Sequence, residues 1–180
     1  MKNYSPKSAG FTLVETLIAV AILMVAIAGP LTIASQALTS ALGSRDAMIA
    51  TYLAQDGMES IKNIKDNNVA AGASDWLDGI NTSGDLYSVP HPFSYLSDPH
   101  TNVSCNPAAG ISNCFLYTND AGSDYFYGGT PPTDRPTPFT RFYSVVKTGN
   151  EAVVKVSVDW TENSISNEIK LQELMTNIKH

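Results

Sequence analysis

A run of nineteen residues without a charge, from Thr16 to Ala34, restricts the fold of this chain more than any other feature. As a helix it would be roughly 28 Å long, close to the hydrocarbon thickness of a bilayer. Lys2 and Lys7 precede the run, and the next basic residue after it is Arg45. The positive-inside rule therefore predicts a single-pass inner-membrane protein with a cytoplasmic N-terminus and an exported remainder.

Two residues are unusual for such a segment. Pro30 lacks a backbone donor and is expected to kink or weaken the helix. Glu15 precedes the uncharged run directly, and a carboxylate at the centre of a membrane helix costs roughly 2.5 to 3.5 kcal/mol on insertion scales. This charge argues against an ordinary secretory signal, although Ala26 to Ala28 offers a small-x-small cleavage site before Gly29. A plain signal anchor is a further alternative.

Residues 7 to 17 read KSAGFTLVETL. This stretch resembles the class III signal of type IV pilins and type II secretion pseudopilins, in which a prepilin peptidase cuts after the glycine and methylates the new N-terminal phenylalanine. The resemblance implies that residues 1–10 are a leader peptide, that cleavage falls between Gly10 and Phe11, and that Phe11 is N-methylated. Pro30 lies slightly earlier than the helix-breaking proline that is usual in the family.

Glu15 matches the acidic residue of the family's N-terminal helix, which is thought to meet the amine of a neighbouring subunit and to set axial register during assembly. Cleavage would create an α-ammonium group on Phe11, and this cation and the carboxylate favour pairing because each alone is costly in a low dielectric. Residues 11 and 15 are also i and i+4 neighbours, so pairing within one helix is open. A third alternative is that Glu15 reaches the lipid headgroups, about 6 Å from the helix start.

After Ala34 the apolar pattern becomes one-sided, which predicts a helix over residues 11–65 with a transmembrane part (11–34) and an amphipathic part (35–65). The amphipathic part needs a partner surface to cover its stripe. Residues 50 to 63, ATYLAQDGMESIKN, resemble the corresponding segment of minor pilins and minor pseudopilins. The predicted stripe consists of Leu38, Leu42, Ile49, Leu53, Ile61 and Ile64.

Residues 66–138 are an acidic, Gly- and Pro-rich region with eight Asp, one Arg and neither Glu nor Lys. Nucleic-acid surfaces need clustered Lys and Arg, so no nucleic-acid partner is predicted. Short strands are expected at Leu86–Val89 and Cys114–Thr118. In a cytosolic protein Cys105 and Cys114 would be free thiols, whereas export favours a disulfide. Closing that loop would stabilise the fold by roughly 2.7 kcal/mol.

The last part of the chain, residues 139–180, has the alternating pattern of β-strands. Strands are expected over Thr140–Thr148 and around Val154–Trp160, with Gly149 opening a hairpin turn between them. Glu168–Met175 fits a strand or a helix, and its position after a hairpin favours a strand. We expect a three- or four-stranded antiparallel sheet on the apolar stripe. This is an α+β fold with a long N-terminal helix, as the resemblance also implies.

No catalytic constellation is found. The nucleophile elbow, Walker loop, zinc-protease and dinucleotide fingerprints are missing from the sequence, and the three histidines lack ligand spacing. Residues 119 to 124 (NDAGSD) contain oxygen ligands that suit calcium, but an Asp/Gly turn explains them more simply. We therefore expect a protein that is not an enzyme and needs no cofactor or metal.

Together these features predict a structural subunit, most similar to a minor one, of a type IV pilus or type II secretion pseudopilus. The expected partners are prepilin peptidase, other pilin or pseudopilin subunits, the inner-membrane assembly platform, and membrane lipid before assembly. The head would be extracytoplasmic in the pilus or pseudopilus. The alternative is a membrane-anchored extracytoplasmic binding or hydrolytic domain whose N-terminus only resembles a prepilin.

Overall fold

A computed structural model describes residue 10 and residues 12–89, 104–105, 114–119, 124–127, 135–162 and 164–177. It contains one helix, α1 (Leu13–Ala70), followed by five strands. These are β1 (Phe115–Thr118), β2 (Tyr125–Tyr127), β3 (Arg135–Thr148), β4 (Glu151–Glu162) and β5 (Ile165–Thr176). The chain forms two units, Met1–Ser44 and Arg45–His180, and we call the second unit the head.

Helix α1 continues past Lys65, where the sequence pattern predicted its end, to Ala70. Pro30 lies within α1 and does not end it. In the head, one face of the helix is buried, with spacings of three and four residues that are typical of a helix on a sheet. Leu38 and Leu42 do not belong to this face, because they lie in the other unit and are exposed. The buried residues of α1 are Ala50, Leu53, Ala54, Gly57, Met58, Ser60, Ile61 and Ile64.

The five strands form one antiparallel sheet in the order β2-β1-β3-β4-β5. The α+β prediction is confirmed, and β1 confirms the short strand predicted at Cys114–Thr118. The sheet has five strands rather than the three or four expected, because it also includes β2, which the sequence did not predict. The sheet side that packs against α1 is the inner face. It carries the alternate residues Phe139, Tyr143, Val145, Val154, Val156, Val158 and Trp160, all buried.

Two tight connections join the three long strands. Thr148 pairs with Glu151, so only Gly149 and Asn150 lie between β3 and β4. Gly149 has φ of 61°, which suits the first loop position of a type II′ turn and which glycine adopts without strain. Strand β5 follows after a second two-residue connection and pairs with β4 along its whole length. This pairing settles the ambiguity at residues 168 to 175 as a strand.

Residues 71–89, the described part of the connection that follows α1, pack on the core and contain no regular strand. Trp76, Leu77 and Ile80 are buried against the sheet and helix. Further along, Tyr87 exchanges two backbone hydrogen bonds with Tyr143 of β3, at 2.9 and 2.8 Å. The predicted strand at Leu86–Val89 is thus reduced to isolated bridges at Tyr87.

Candidate processing and assembly site at the start of helix α1

Thr12 caps the N-terminus of α1. Its hydroxyl oxygen accepts a hydrogen bond from the backbone N–H of Glu15 at 3.3 Å, and its carbonyl accepts one from the N–H of Thr16 at 3.2 Å. The first N–H groups of a helix have no partner within the helix, and a Thr side chain at this position satisfies one of them. The helix therefore begins at Leu13 for a local reason that the sequence contains.

The residues that the resemblance assigned to cleavage lie just before this cap. Gly10 is exposed and outside the helix, two residues ahead of Thr12. Phe11, the expected first residue of the mature chain and the expected site of methylation, lies outside the described residues. The bond expected to be cut is thus next to the helix start, on its N-terminal side.

Glu15 occupies the third helical position and is exposed in the first turn. Thr12 and Glu15 have the spacing of a capping box, in which an acidic residue three positions after the cap faces the unpaired N–H groups. The positive end of the helix dipole also favours a carboxylate there. The T-x-x-E spacing is visible in the sequence, but the sequence reasoning above missed it. Glu15 is therefore positioned at the helix start by the fold of its own chain.

In the segment after Glu15, threonine hydroxyl groups are hydrogen-bonded to backbone carbonyls of the same helix. Thr16 donates its hydroxyl to the carbonyl of Leu13 at 2.8 Å, and Thr32 donates to that of Ala28 at 2.9 Å. Such bonds satisfy hydroxyl groups where water is missing. In the described part of the chain, α1 is the one helix long and apolar enough to cross a membrane, and its most apolar stretch is unburied.

Residues 5–29 match a family model described as the prokaryotic N-terminal methylation motif. The start of this chain is therefore similar to that of prokaryotic proteins with an N-terminal methylation motif. The methylation motif contains the Gly10–Phe11 junction, the Thr12 cap and Glu15, and it is consistent with the type IV pilin-like family. Neither the comparison with curated proteins nor that with solved structures found a match. The matched residues 5–29 lie outside the head, residues 45–180.

Within the head, a buried arginine connects the helix to the sheet. Arg141 of β3 is fully buried, and its Nη1 donates to a carboxylate oxygen of Asp56 at 2.5 Å and to the carbonyl of Leu53 at 3.1 Å. Its Nε donates to the hydroxyl of Tyr127 at 3.0 Å. Helix α1, strand β2 and strand β3 therefore meet at one side chain.

Tyr127 completes this network. Its hydroxyl donates to the backbone carbonyl of Arg141 at 2.9 Å and accepts the backbone N–H of Val89 at 3.3 Å. Burial lowers the pKa of Arg141, but Tyr127 and Asp56 outweigh this effect and leave that pKa above its ordinary value. Arg141 is thus charged, and the network compensates a cation that would otherwise be costly to bury.

Sequence reasoning missed Arg141, although one signal pointed to it. In β3 it alternates with Phe139, Tyr143 and Val145, so it shares the inner face with apolar residues. A basic residue at that parity must have buried partners. Those partners, Asp56 and Tyr127, lie far away along the chain, and spacing alone could not identify them.

The opposite side of the sheet, the outer face, is covered in part by a disulfide. Cys105 and Cys114 form a disulfide with their Cα atoms 5.8 Å apart. Both are buried and pack with Phe142 of β3 and with Leu86. Leu86 and Phe142 of this cluster also line a groove on the outer face, and its other lining residues are Ser144, Lys155, Ser157, Glu168 and Lys170.

The acidic stretch that suited calcium is only partly described. Asn119 donates its side-chain amide to a carboxylate oxygen of Asp124 at 2.8 Å. Residues 120–123 lie outside the described residues. In the part of the chain that the structure describes, no three His, Cys, Asp or Glu side chains are grouped so that they could hold a metal ion.

Proposed function

We propose that this chain is a structural subunit, of the minor kind, of a type IV pilus or a type II secretion pseudopilus. The observation that carries the proposal is the match of residues 5–29 to the N-terminal methylation motif. The capped start of α1 directly after Phe11 and the apolar helix that follows support it. The role is one of assembly, and the proposal assigns no catalysis, cofactor or metal to the chain.

Prepilin peptidase is the first partner in this proposal. It cuts between Gly10 and Phe11 and methylates the new N-terminus. Gly10 is exposed and precedes the helix, as a bond that must enter a protease site requires. The cap at Thr12 marks the start of the helix, two residues after Gly10.

Glu15 then pairs with an α-ammonium group that exists only after cleavage. A free α-amino group has a reference pKa of about 7.7 to 8, and methylation preserves its charge. The exposed carboxylate at the third helical position is available to the ammonium group of a neighbouring subunit. Because two unpaired charges are costly in an apolar filament core, this pairing would set the axial register between subunits.

The apolar part of α1 anchors the subunit in the inner membrane before assembly, with its N-terminus in the cytoplasm and the head exported. Lys2 and Lys7 on the N-terminal side support this orientation. During assembly the same helix exchanges lipid for the helices of other pilin or pseudopilin subunits at the inner-membrane platform. The disulfide of the head fits an oxidising compartment.

Mass analysis of the mature N-terminus tests the processing step. The purified membrane or filament form should start at Phe11 with one added methyl group. A start at Gly29 would indicate ordinary secretion, and a start at Met1 would indicate a plain signal anchor. Either result would overturn the proposal. The substitution Gly10→Ala should block or slow the cut and give a precursor longer by the leader.

Variants at Glu15 separate assembly from processing. Glu15→Ala and Glu15→Leu should be cleaved and inserted into the membrane like the parent protein, because the cleavage site and the apolar helix are unchanged. Both should be impaired in incorporation into filaments, measured as the filament-to-membrane ratio of the subunit. Glu15→Asp is the matched control that keeps the charge. Normal incorporation of both uncharged variants would contradict the role of Glu15 in register.

A further inference from the structure

Strand β5 forms one edge of the sheet, and its far side has no described partner strand. Strand β5 is the last in the sheet order, and no other strand in the described residues pairs with its far side. It has twelve residues, contains no proline, and pairs with β4 without a register shift. Short length, bulges and proline are three of the devices that prevent an edge from pairing, and β5 has none of these three. Charged side chains are a fourth device, and β5 carries Glu168, Lys170 and Glu173, so the arrangement of these charges decides which partner can pair.

The register shows which backbone groups face this edge. The Asn177 N–H donates to the Asn150 carbonyl at 2.8 Å, directly beyond the pair Glu151 and Thr176. In an antiparallel ladder such bonds recur at every second residue, so the odd-numbered residues of β5 turn their backbone groups toward β4. The even-numbered residues direct theirs to the free side. These are Ser166, Glu168, Lys170, Gln172, Leu174 and Thr176.

Opposite charges follow one another along this edge. Glu168 and Lys170 lie on the outer face, both about half exposed, and their side chains form an ion pair at 2.8 Å. Along the strand, the acidic residue comes before the basic one. In an antiparallel copy this order is reversed, so the acidic residue of each copy can face the basic residue of the other. An antiparallel copy of β5 centred on Ile169 places each Lys170 opposite Glu168 of the second copy. Centring the pair on Glu168 or on Lys170 would instead place like charges opposite each other.

We propose that β5 is an interface at which two copies of this chain pair edge to edge, antiparallel and centred on Ile169. Residues 165 to 173 of each strand overlap, and the two sheets continue as one. The even-numbered residues supply the backbone hydrogen bonds, and the two copies contribute two Glu–Lys pairs on the outer face. A two-fold axis relates identical patches, as in other isologous dimers. The interface does not use the methylation motif, so it stands or falls independently of the proposed function.

Cysteine cross-linking of the full chain, in detergent and in native membranes, tests the register. The native cysteines are joined to each other, and the parent protein is the background control. Ile169→Cys places two thiols directly opposite each other, within disulfide reach, and should give a covalent dimer under mild oxidation. Gln172→Cys, on the same strand, is the matched control. In this register its two copies lie about 20 Å apart and should not cross-link.

Charge variants then identify the partner as a second copy. Glu168→Lys and Lys170→Glu, each alone, should weaken dimerisation about tenfold, because attractive cross-strand pairs become repulsive. An equimolar mixture of the two variants should dimerise like the parent protein, since every lysine again faces a glutamate of the other chain. The ion pair within each chain stays broken in the mixture, so a stability effect of that pair cannot produce the recovery.

The possible results are distinct. Cross-linking at residue 169 alone, with recovery in the mixture, supports the interface. Equal cross-linking at residues 169 and 172 indicates random collision and overturns it. A chain that stays monomeric, a cross-link at residue 169 to a different protein only, or a mixture that does not recover would also overturn the proposal.

Discussion

A Cβ atom placed on Gly57 of helix α1 would lie 3.0 Å from Cγ1 of Val156 in strand β4. It would also lie 3.3 Å from Cγ2 of Val89 and 3.4 Å from Cδ of Arg141. The helix backbone therefore packs directly on the inner face of the sheet at this point, beside the buried arginine. A glycine that weakens the helix locally thus permits the close contact between helix and sheet.

Gly57→Ala should destabilise the head although alanine favours helices. The gain in helix propensity is about 1 kcal/mol, whereas overpacking a dense core costs about 1 to 3 kcal/mol. We expect a net loss of about 1 kcal/mol in the free energy of unfolding, measured by denaturant titration of the full chain in detergent. Val156→Ala removes the atom that is contacted. The double variant should therefore lose less stability than the two single losses added together. Strict additivity would contradict this account.

Tyr127→Phe should destabilise the head more than a lost hydroxyl normally does. It leaves the Arg141 Nε, the Arg141 carbonyl and the Val89 N–H without the hydroxyl partner that they share. Unsatisfied buried groups cost about 1 to 3 kcal/mol each, so for three groups we expect a loss of about 3 kcal/mol or more in the free energy of unfolding. Tyr125→Phe on the same strand is the control, because its ring contact with Phe139 does not need the hydroxyl. Equal effects of both variants would argue against the network.

Asp75 should give the head a component of stability that is lost in acid. The ion pair with Lys147 at 2.6 Å, and then the Leu77 N–H, hold the pKa of Asp75 below its usual range. A depressed carboxyl pKa stabilises the folded state above the unfolded value of about 3.9, and the contribution disappears as the pH falls through the folded pKa. The carboxylate is half exposed, so we expect at most about 1 kcal/mol at neutral pH.

The measurement is the stability difference between the parent protein and Asp75→Asn as a function of pH. The amide oxygen can still accept the Leu77 N–H, so the substitution removes mainly the charge. The difference should be largest near pH 7, should begin to fall below about pH 4, and should vanish once the pH is below the folded-state pKa of Asp75. Burial and the neighbouring Glu168 raise the pKa of Asp159, which acts in the opposite direction, so the difference is more informative than either curve alone. A constant difference across this range would refute the ion-pair explanation.

How far the sequence predicts this fold depends on how local each signal is. The apolar run, the helix that follows it and the alternation at Val154 to Trp160 are local patterns, and the structure follows them. The turn at Gly149 is also local, because only two residues separate the paired strands. The candidate site at the start of α1 is also a local feature of the sequence, since Thr12, Glu15 and the Gly10–Phe11 junction lie within six residues.

Features that depend on distant contacts were not predictable in the same way. Strand β2 is three residues long and is stabilised by pairing with β1, so its own sequence carries a weak signal, whereas the short strand β1 was predicted. The N-terminal limit of the buried helix face was predicted wrongly. The apolar stripe in the sequence starts at Leu38, whereas the sheet covers only the part of α1 within the head. The Arg141 network joins residues more than eighty positions apart. Its existence, but not its partners, could be inferred from strand parity.

Loss of the disulfide should destabilise the head without unfolding it. Cys105 and Cys114 close a short loop against Phe142 on the outer face, whereas the main core lies between α1 and the inner face. For a loop of about ten residues, the chain-entropy estimate is a loss of about 2.7 kcal/mol in the free energy of unfolding. The double substitution of both cysteines by alanine should reproduce this loss in denaturant titrations. Reductant should lower the stability of the parent protein and leave that of the double variant unchanged.

Exported parent protein should resist thiol labelling unless it is first reduced. Labelling of both cysteines in the exported protein without reduction would contradict a role for the disulfide.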